Sequence, residues 1–348
     1  MDFSGIHGNK AVVAALAGMV DSGRIPHAML FHENDGGGAI PVILAFLSYL
    51  YCRDRHDGDS CGSCPSCNKI SKLIHPDIHF VYPVTGGSKV SSSEKPVSES
   101  YVQYWRELVS ENPYFYENEL YEALGIEGKS GVIAVSEAKA ILDKLSLTAV
   151  EGGYRSVVIY LPEKMNQAAA NSLLKMVEEP PENTLFLMVT HEPEKVLRTI
   201  YSRCLFMRIL PLSKDELSRV HPRESGEESA MLDIFSDLMS ALASRDLVSV
   251  LEAGETIAAL ESREKQKAFC KFAGKCLREI FLLQQGLSRL GDVSESDEEF
   301  FRTVSQKCRK TFPRQALALF DRARLLTERN VNQKILFCDL VNRLYTIY

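Results

Sequence analysis

Four cysteines, Cys52, Cys61, Cys64 and Cys67, fall within sixteen residues at the spacing C-x8-C-x2-C-x2-C. Two overlapping C-x2-C knuckles place three thiolates around one point with little chain strain. Cys52, at the end of a helix-like run, can close the tetrahedron. Four thiolates so arranged suit Zn2+ in a closed structural site, with no open position for a catalytic water. Redox chemistry is the alternative, because C-x2-C pairs also serve disulfide exchange. Exchangers, however, carry one pair at a helix start beside a strand, not three knuckle cysteines in a Gly/Ser/Pro loop. His56 and His75 are spare ligand candidates. Cys204, Cys270, Cys276, Cys308 and Cys338 stand apart in the chain and read as buried or inert thiols.

The stretch LFHENDGGGAIPV, residues 30–42, poses a second chemical question. Gly36, Gly37 and Gly38 lie between an apolar run and a helix-like run, where a phosphate-binding loop of the G-x-x-x-x-G-K-[ST] type would sit. Such a loop cradles phosphates with backbone N–H groups, reaches the β- and γ-phosphates with its Lys and holds Mg2+ through its hydroxyl. Aligned on Gly38, this chain has Glu33 for the first glycine, Ala39 for the lysine and Ile40 for the hydroxyl residue. Glu33 and Asp35 would add repulsion toward a triphosphate. The other half of an NTP site is an acidic pair at the end of a core strand. In SVVIYLPEKMN those two positions are Tyr160 and Leu161, and only Glu163 follows. An ordinary glycine turn accounts for the loop alone. Two missing parts of the same machine point to a fold built for NTP that no longer uses it, so no ATP is expected in this chain.

These groups need elements to position them. Up to about residue 210, short β-rich runs alternate with helix-like ones. Strands are expected at 27–33, 77–84, 156–162, 184–190 and 204–209, and helices at 8–22, 41–53, 136–147, 166–179 and 194–201. Nearly continuous apolar strands alternating with helices predict a parallel sheet covered on both faces. Residues 85–100, TGGSKVSSSEKPVSES, read as a surface loop. Residues 101–124 hold the only tryptophan, Trp105, and several tyrosines; they read as an inserted helical element docked by aromatics, with no function assigned. Residues 221–229, HPRESGEES, read as a linker. From 230 to 348 apolar residues recur at three- and four-residue spacing, which predicts a bundle of about five helices.

A chain of 348 residues, 45% hydrophobic and 25% charged, has room for two or three globular domains. Its net charge of −6 argues against a protein held on nucleic acid purely by a basic surface, though not against a local basic patch. No apolar run approaches the length of a membrane span, and MDFSGIHGNK has no secretory pattern. A cytoplasmic location without membrane partners is expected.

Several segments occur in one order: HAMLF and the glycine loop, the four-cysteine module after the next helix, NQAAANSLLKMVEEPPENTLFLMVT (166–190), then TIYSRC (199–204). Together they resemble the delta-prime subunits of bacterial DNA polymerase III clamp loaders, an AAA+ family. The likeness is close from residue 1 to about 212, and looser for RNVNQKILFCDLVNRLY (329–345). It implies an α/β AAA+ domain with a parallel sheet over 1–212, carrying a zinc module (52–67) and an insertion (85–130). It further implies a reduced lid or linker over 213–229 and an all-α collar over 230–348 that joins subunits in a ring. Family members usually have a three-helix lid before the collar, and 213–229 is too short for one. Delta-prime members resemble the motor subunits without being motors, so the glycine loop becomes a decayed P-loop. No intrinsic catalysis is expected from what would be a subunit of a DNA-directed DNA polymerase holoenzyme. The gamma/tau motor subunits share the zinc module and SRC motif but keep GKT and the acidic pair; Ala39, Ile40, Tyr160 and Leu161 decide between the two. Implied partners are gamma/tau and delta subunits and, through the assembled loader, the sliding clamp and primer–template DNA.

The resemblance also gives Arg203, inside SRC, a role. In the family this arginine points out of its own subunit into the next one's ATP site, where a guanidinium neutralises charge developing on the γ-phosphate. A surface or salt-bridging arginine is the plain reading of the same residue, and Arg198 is a nearby alternative. Two other functions stay in view. One is an active gamma/tau-type ATPase. The other is a zinc-containing DNA-binding module on an AAA+ scaffold, against which stand the acidic balance and the lack of a basic stripe with interleaved aromatics.

Overall fold

The five expected strands form one parallel sheet. In the computed structural model, which describes residues 2–348 except 87–96, 127, 128, 130, 288–290, 292, 294–296, 328 and 330, they are β1 (Ala28–His32), β2 (Ile78–Val81), β3 (Arg155–Tyr160), β4 (Thr184–Thr190) and β5 (Leu205–Arg208). Their order is β2-β3-β4-β1-β5, and Leu30 of β1 lies opposite Met188 of β4 and Phe206 of β5. Every residue of β4 is buried. Alternate residues serve opposite faces, as the pleat requires: Phe31, Val158 and Leu187 join one apolar core, Leu30, Ile159 and Met188 another.

The helices of this part are α1 (Lys10–Asp21), α2 (Ala39–Tyr51), α3 (Pro65–Ser71), α4 (Val102–Glu111), α5 (Glu117–Leu124), α6 (Val135–Ser146), α7 (Gln167–Glu178) and α8 (Arg198–Tyr201). α1 and α2 contribute to the first core, α6 and α7 to the second. Residues 39–50 of α2 are all buried, as a helix apolar on every side must be. α7 starts where Asn166 caps it, its side chain accepting from Ala169 N at 2.8 Å. α8 is shorter than the expected 194–201. Pro193–Lys195 forms a separate 3-10 turn, and Val196 and Leu197 run extended before the helix begins.

The aromatic insertion forms α4 and α5. Trp105 is 1% exposed, stacks on Tyr82 with centroids 4.5 Å apart and meets Phe115 edge-on. Of the loop expected over 85–100, residues 87–96 lie outside the described residues.

Residues 1–212 make one compact unit and 213–348 a second. The second contains α9 (Lys214–Val220), α10 (Pro222–Ser244), α11 (Leu247–Ala258), α12 (Arg263–Gln284), α13 (Glu298–Lys307), α14 (Phe312–Thr327) and α15 (Gln333–Ile347). Phe235, Phe269, Phe320 and Phe337 lie in its core. The linker expected at 221–229 is a correction. α10 begins at Pro222, a residue suited to a first helical position because it has no N–H to leave unpaired. The polar run that follows carried no apolar periodicity by which to see the helix. Among the described residues no helix is long and apolar enough to cross a membrane.

Candidate functional site

α2 delivers Cys52 at its C-terminal end, Cys64 caps α3 and Cys67 lies within it. With Cys61, their four Sγ atoms lie within 4.8 Å of one another. Thiolates at ~2.3 Å from a tetrahedral ion stand about 3.8 Å apart, so small inward shifts complete the set. Backbone donors already face the sulfurs. Cys61 N donates to Cys52 Sγ and Cys64 N to Cys61 Sγ, both at 3.3 Å, and Cys67 N to Cys64 Sγ at 3.5 Å. The N–H groups of Ser63 and Cys64 draw the Cys61 thiol down to about 6. This cluster could hold a metal ion. The two spare histidines are outside it: His56 is exposed beside Asp57, and His75 is buried and faces Glu151 at 3.5 Å. Glu151 also binds Lys69 of α3, which ties the cysteine module to the loop before β3.

The glycine loop follows β1 and leads into α2, at the C-terminal ends of the parallel strands, where open α/β sheets take ligands. Gly36 and Gly38 have φ of 75° and 94°, a region that suits glycine. Protein fills the cradle. The Glu33 carboxylate, 3% exposed, accepts from Ala39 N at 2.7 Å. It sits at the N-terminus of α2, where a phosphate oxygen would sit in a working loop. Tyr114 and Tyr116, between α4 and α5, cover the glycines. A Cβ on Gly36 would come within 2.5 Å of the Tyr116 ring, and one on Gly38 within 2.6 Å of the Tyr114 ring. Tyr114 Oη in turn accepts from His7 N at 3.0 Å. Tyr160 and Leu161, where the acidic pair is missing, are 1% and 0% exposed, and the Tyr160 ring lies 5.3 Å from that of Phe115.

Sequence reasoning missed the cation at the centre of this arrangement. His191, just after β4, places Nε2 3.7 Å from Glu33 Oε1 and 3.8 Å from Asp35 Oδ1, and Nδ1 3.8 Å from Glu117 Oε2. Burial alone would lower its pKa; Glu117, Glu33 and Asp35 outweigh that and raise it to about 10. Glu117 is held at about 2, by His191 first and, against burial, by Tyr121 and Lys164. A histidine just beyond the C-terminal end of a buried strand was the available signal. The acids it pairs with lie far away in sequence, so no local pattern joined them to it. Glu163, which sequence analysis singled out only as a leftover acid, accepts from His191 N at 2.9 Å and fixes that turn.

Arg203 follows α8. Its side chain is 38% exposed, and its guanidinium bonds Glu178 Oε1 at 2.8 Å and Thr199 O at 2.9 Å. The arginine is thus held to the end of α7. Arg198 is exposed.

Residues 8–213 match the profile of a family described as DNA polymerase III, delta subunit. The match takes in the sheet, the cysteine cluster and the filled cradle, and the chain belongs to that family. Relatives named DNA polymerase III subunit delta' include that of Yersinia pestis, 33% identical over 193 residues, covering 55% of this chain and 44% of that protein. That of Escherichia coli (strain K12) is 29% identical over 196 residues, covering 56% and 46%. The chain thus spans about half the length of the curated relatives it matches. Among solved structures, a DNA polymerase III gamma subunit-related protein of Thermotoga maritima aligns over 96% of this chain and 99% of its own, at 14% identity and a TM-score of 0.39. The resemblance to delta-prime clamp-loader subunits is borne out by the family and the named relatives.

Proposed function

We propose that this chain works as the non-motor, delta-prime-type subunit of a clamp loader. It assembles with gamma/tau motor and delta subunits, helps place a sliding clamp on primed DNA and enters ATP hydrolysis only by lending Arg203 to a neighbour. The observation that carries this reading is the Glu33 carboxylate on Ala39 N–H at the start of α2. A nucleotide phosphate would have to displace that carboxylate and two tyrosine rings, and would then find no lysine, hydroxyl or acidic pair. The same observation disfavours the gamma/tau-type ATPase. The cysteine cluster holds structural Zn2+, because four soft thiolates converging in a closed site suit that ion. Residues 230–348 serve as the collar, and 213–229, which include α9, are the remnant of a lid.

The test is co-expression with the motor and delta subunits, followed by size exclusion, clamp loading on primed DNA, and calorimetry of the isolated chain with Mg-ATP. The expected result is a stoichiometric, active complex and no heat of ATP binding. Micromolar ATP affinity would replace this reading with the motor one, and failure to co-elute would remove the clamp-loader reading itself.

A further inference from the structure

The chain is acidic overall, yet one corner of its helical unit is strongly basic. Between residues 300 and 320 there is no Asp or Glu, while Arg302, Lys307, Arg309, Lys310 and Arg314 fall within thirteen residues. Some exposed cations of this unit are paired locally, such as Lys265 with Glu261, Lys275 with Glu228, Arg302 with Glu298 and Arg343 with Asp339, whereas Lys271, Arg322 and Lys334 stand singly among the described residues. Lys307, Arg309, Lys310 and Arg314 are all exposed and make no ion pair or side-chain hydrogen bond among the described residues. Four uncompensated positive charges around one turn repel each other, and an anion relieves that repulsion.

The corner is also rigid. Lys307 ends α13, Arg309 and Lys310 lie in the turn, and Arg314 is in the first turn of α14. Cys308, Phe312 and Pro313 between them are buried. Gln284, at the end of α12, donates to Ser305 O at 3.0 Å and Cys308 O at 3.2 Å, which fastens the turn to the bundle. Lys310 in the turn and Arg314 in the first turn of α14 thus sit at the same end of that helix.

We propose that this α13–α14 corner is a sequence-independent contact for the phosphate backbone of DNA. The composition favours a nucleic acid over an acidic protein. Every exposed residue from 302 to 315 is Arg, Lys, Gln or Thr. Those are side chains that hydrogen-bond phosphate oxygens. Within that stretch no apolar or aromatic side chain is exposed to anchor a protein partner, and Leu317, a turn further along α14, is a lone exposed leucine. The absence of aromatics also makes base stacking, and hence a single-strand platform, a poor fit. This contact goes beyond the proposed clamp-loader role and does not depend on Arg203 or the filled cradle.

The test uses the full chain and a fluorescent mixed-sequence duplex of about 30 base pairs, followed by anisotropy between 50 and 200 mM salt. Four phosphate contacts predict a slope of log K against log salt near −3.6 (about −0.9 per contact), the same for two unrelated sequences. The combined variant Lys307→Gln, Arg309→Gln, Lys310→Gln, Arg314→Gln should lose most of that slope and bind at least about tenfold more weakly at 50 mM salt. Circular dichroism and metal content should match the unaltered chain. Unchanged binding by the variant, or no binding by the unaltered chain, overturns the proposal. So does poly-glutamate that competes as well as duplex DNA at equal charge, since the corner would then be an acidic-protein site. Loss of loader assembly in the variant would overturn it too, by making the corner a subunit contact. Failure of the unaltered chain to join a loader would instead sink the clamp-loader reading and leave this contact standing.

Discussion

His191 and Glu33 form a buried ion pair across the ends of β4 and β1, Nε2 to Oε1 at 3.7 Å, with side chains 11% and 3% exposed. The pair has a pH signature. The imidazole pKa is raised from 6.5 to about 10, so its contribution to stability is complete below about 6.5 and is lost as pH climbs from there through about 10. Glu117, lowered from 4.5 to about 2, acts in the opposite direction: its contribution is present above about 4.5 and is lost as pH falls toward 2. Thermal unfolding should therefore show the melting temperature falling between pH 6.5 and 9 more steeply in the unaltered chain than in His191→Gln. Asp35, Tyr160, Lys164 and Glu163 also line this cluster, and none of them changes in that variant. A histidine signal that titrates near its ordinary value in NMR would contradict the pairing.

Removing the cation leaves Glu33 buried without its partner. His191→Ala should destabilise the first unit by roughly 3–5 kcal/mol, the range for breaking one side of a buried pair. Urea unfolding gives the value, and a change under 1 kcal/mol would mean that the cluster is solvated.

Much of this arrangement was legible before any coordinates. Continuous apolar strands such as TLFLMVT sit where the sequence placed them, because burial on both faces leaves an unmistakable pattern. The cysteines converge because knuckle spacing is local geometry. Ala39, Ile40, Tyr160 and Leu161 could be read as absences, since a motif fixes what ought to stand there. What fills the glycine loop could not be read. Glu33 looked like a repulsive charge, whereas its side chain turns inward onto Ala39 N–H. Tyr114, Tyr116 and Glu117 reach the cradle from an insertion with no register to the loop they cover. α10 was hidden at its start because a helix without an apolar stripe there shows no period.

Restoring the missing motif residues alone should not restore nucleotide binding. Ala39→Lys with Ile40→Thr supplies a P-loop lysine and hydroxyl but leaves Glu33 on the helix N-terminus and both tyrosines over the glycines. Both positions are also fully buried, at 0% and 3% exposure, so the pair of changes should lower stability as well. Calorimetry with Mg-ATP on this double variant is the check. Measurable affinity there would show that sequence decay, rather than the filled cradle, keeps nucleotide out.

The purified chain should carry about one Zn2+ per molecule, as a four-thiolate site holds one ion. Cys64→Ser removes a ligand that also caps α3, so metal should be lost and the first unit should unfold at lower temperature. The second unit, with its own core, should keep its far-UV helical signal. Elemental analysis decides the first point: protein prepared without chelator that contains no zinc would leave the cluster as four reduced thiols.

The last prediction follows from how Arg203 is held. Glu178 engages it at 2.8 Å, but the two side chains are 38% and 40% exposed, and ion pairs in such positions contribute only ~0–1 kcal/mol. An arginine finger is worth about 10³–10⁵ in rate, or ~4–7 kcal/mol, so release from Glu178 is a small cost beside the gain in a neighbour's site. Under the proposed role, the clasp would hold the guanidinium without disabling it. In reconstituted loaders, Arg203→Ala should lower the DNA- and clamp-stimulated ATPase only partly, because other motor sites draw arginines from other subunits. Assembly and metal content should not change. Arg203→Lys should fail to rescue turnover, because an ammonium cannot reproduce the planar fork. Glu178→Gln loosens the clasp, and turnover should stay level or rise by no more than about fivefold, the equivalent of 1 kcal/mol. Arg198→Ala separates the nearby alternative and should leave turnover alone. If Arg203→Ala and the unaltered subunit give equal rates at equal assembly, the contact with Glu178 is all that Arg203 does, and the neighbour's site must find its charge elsewhere.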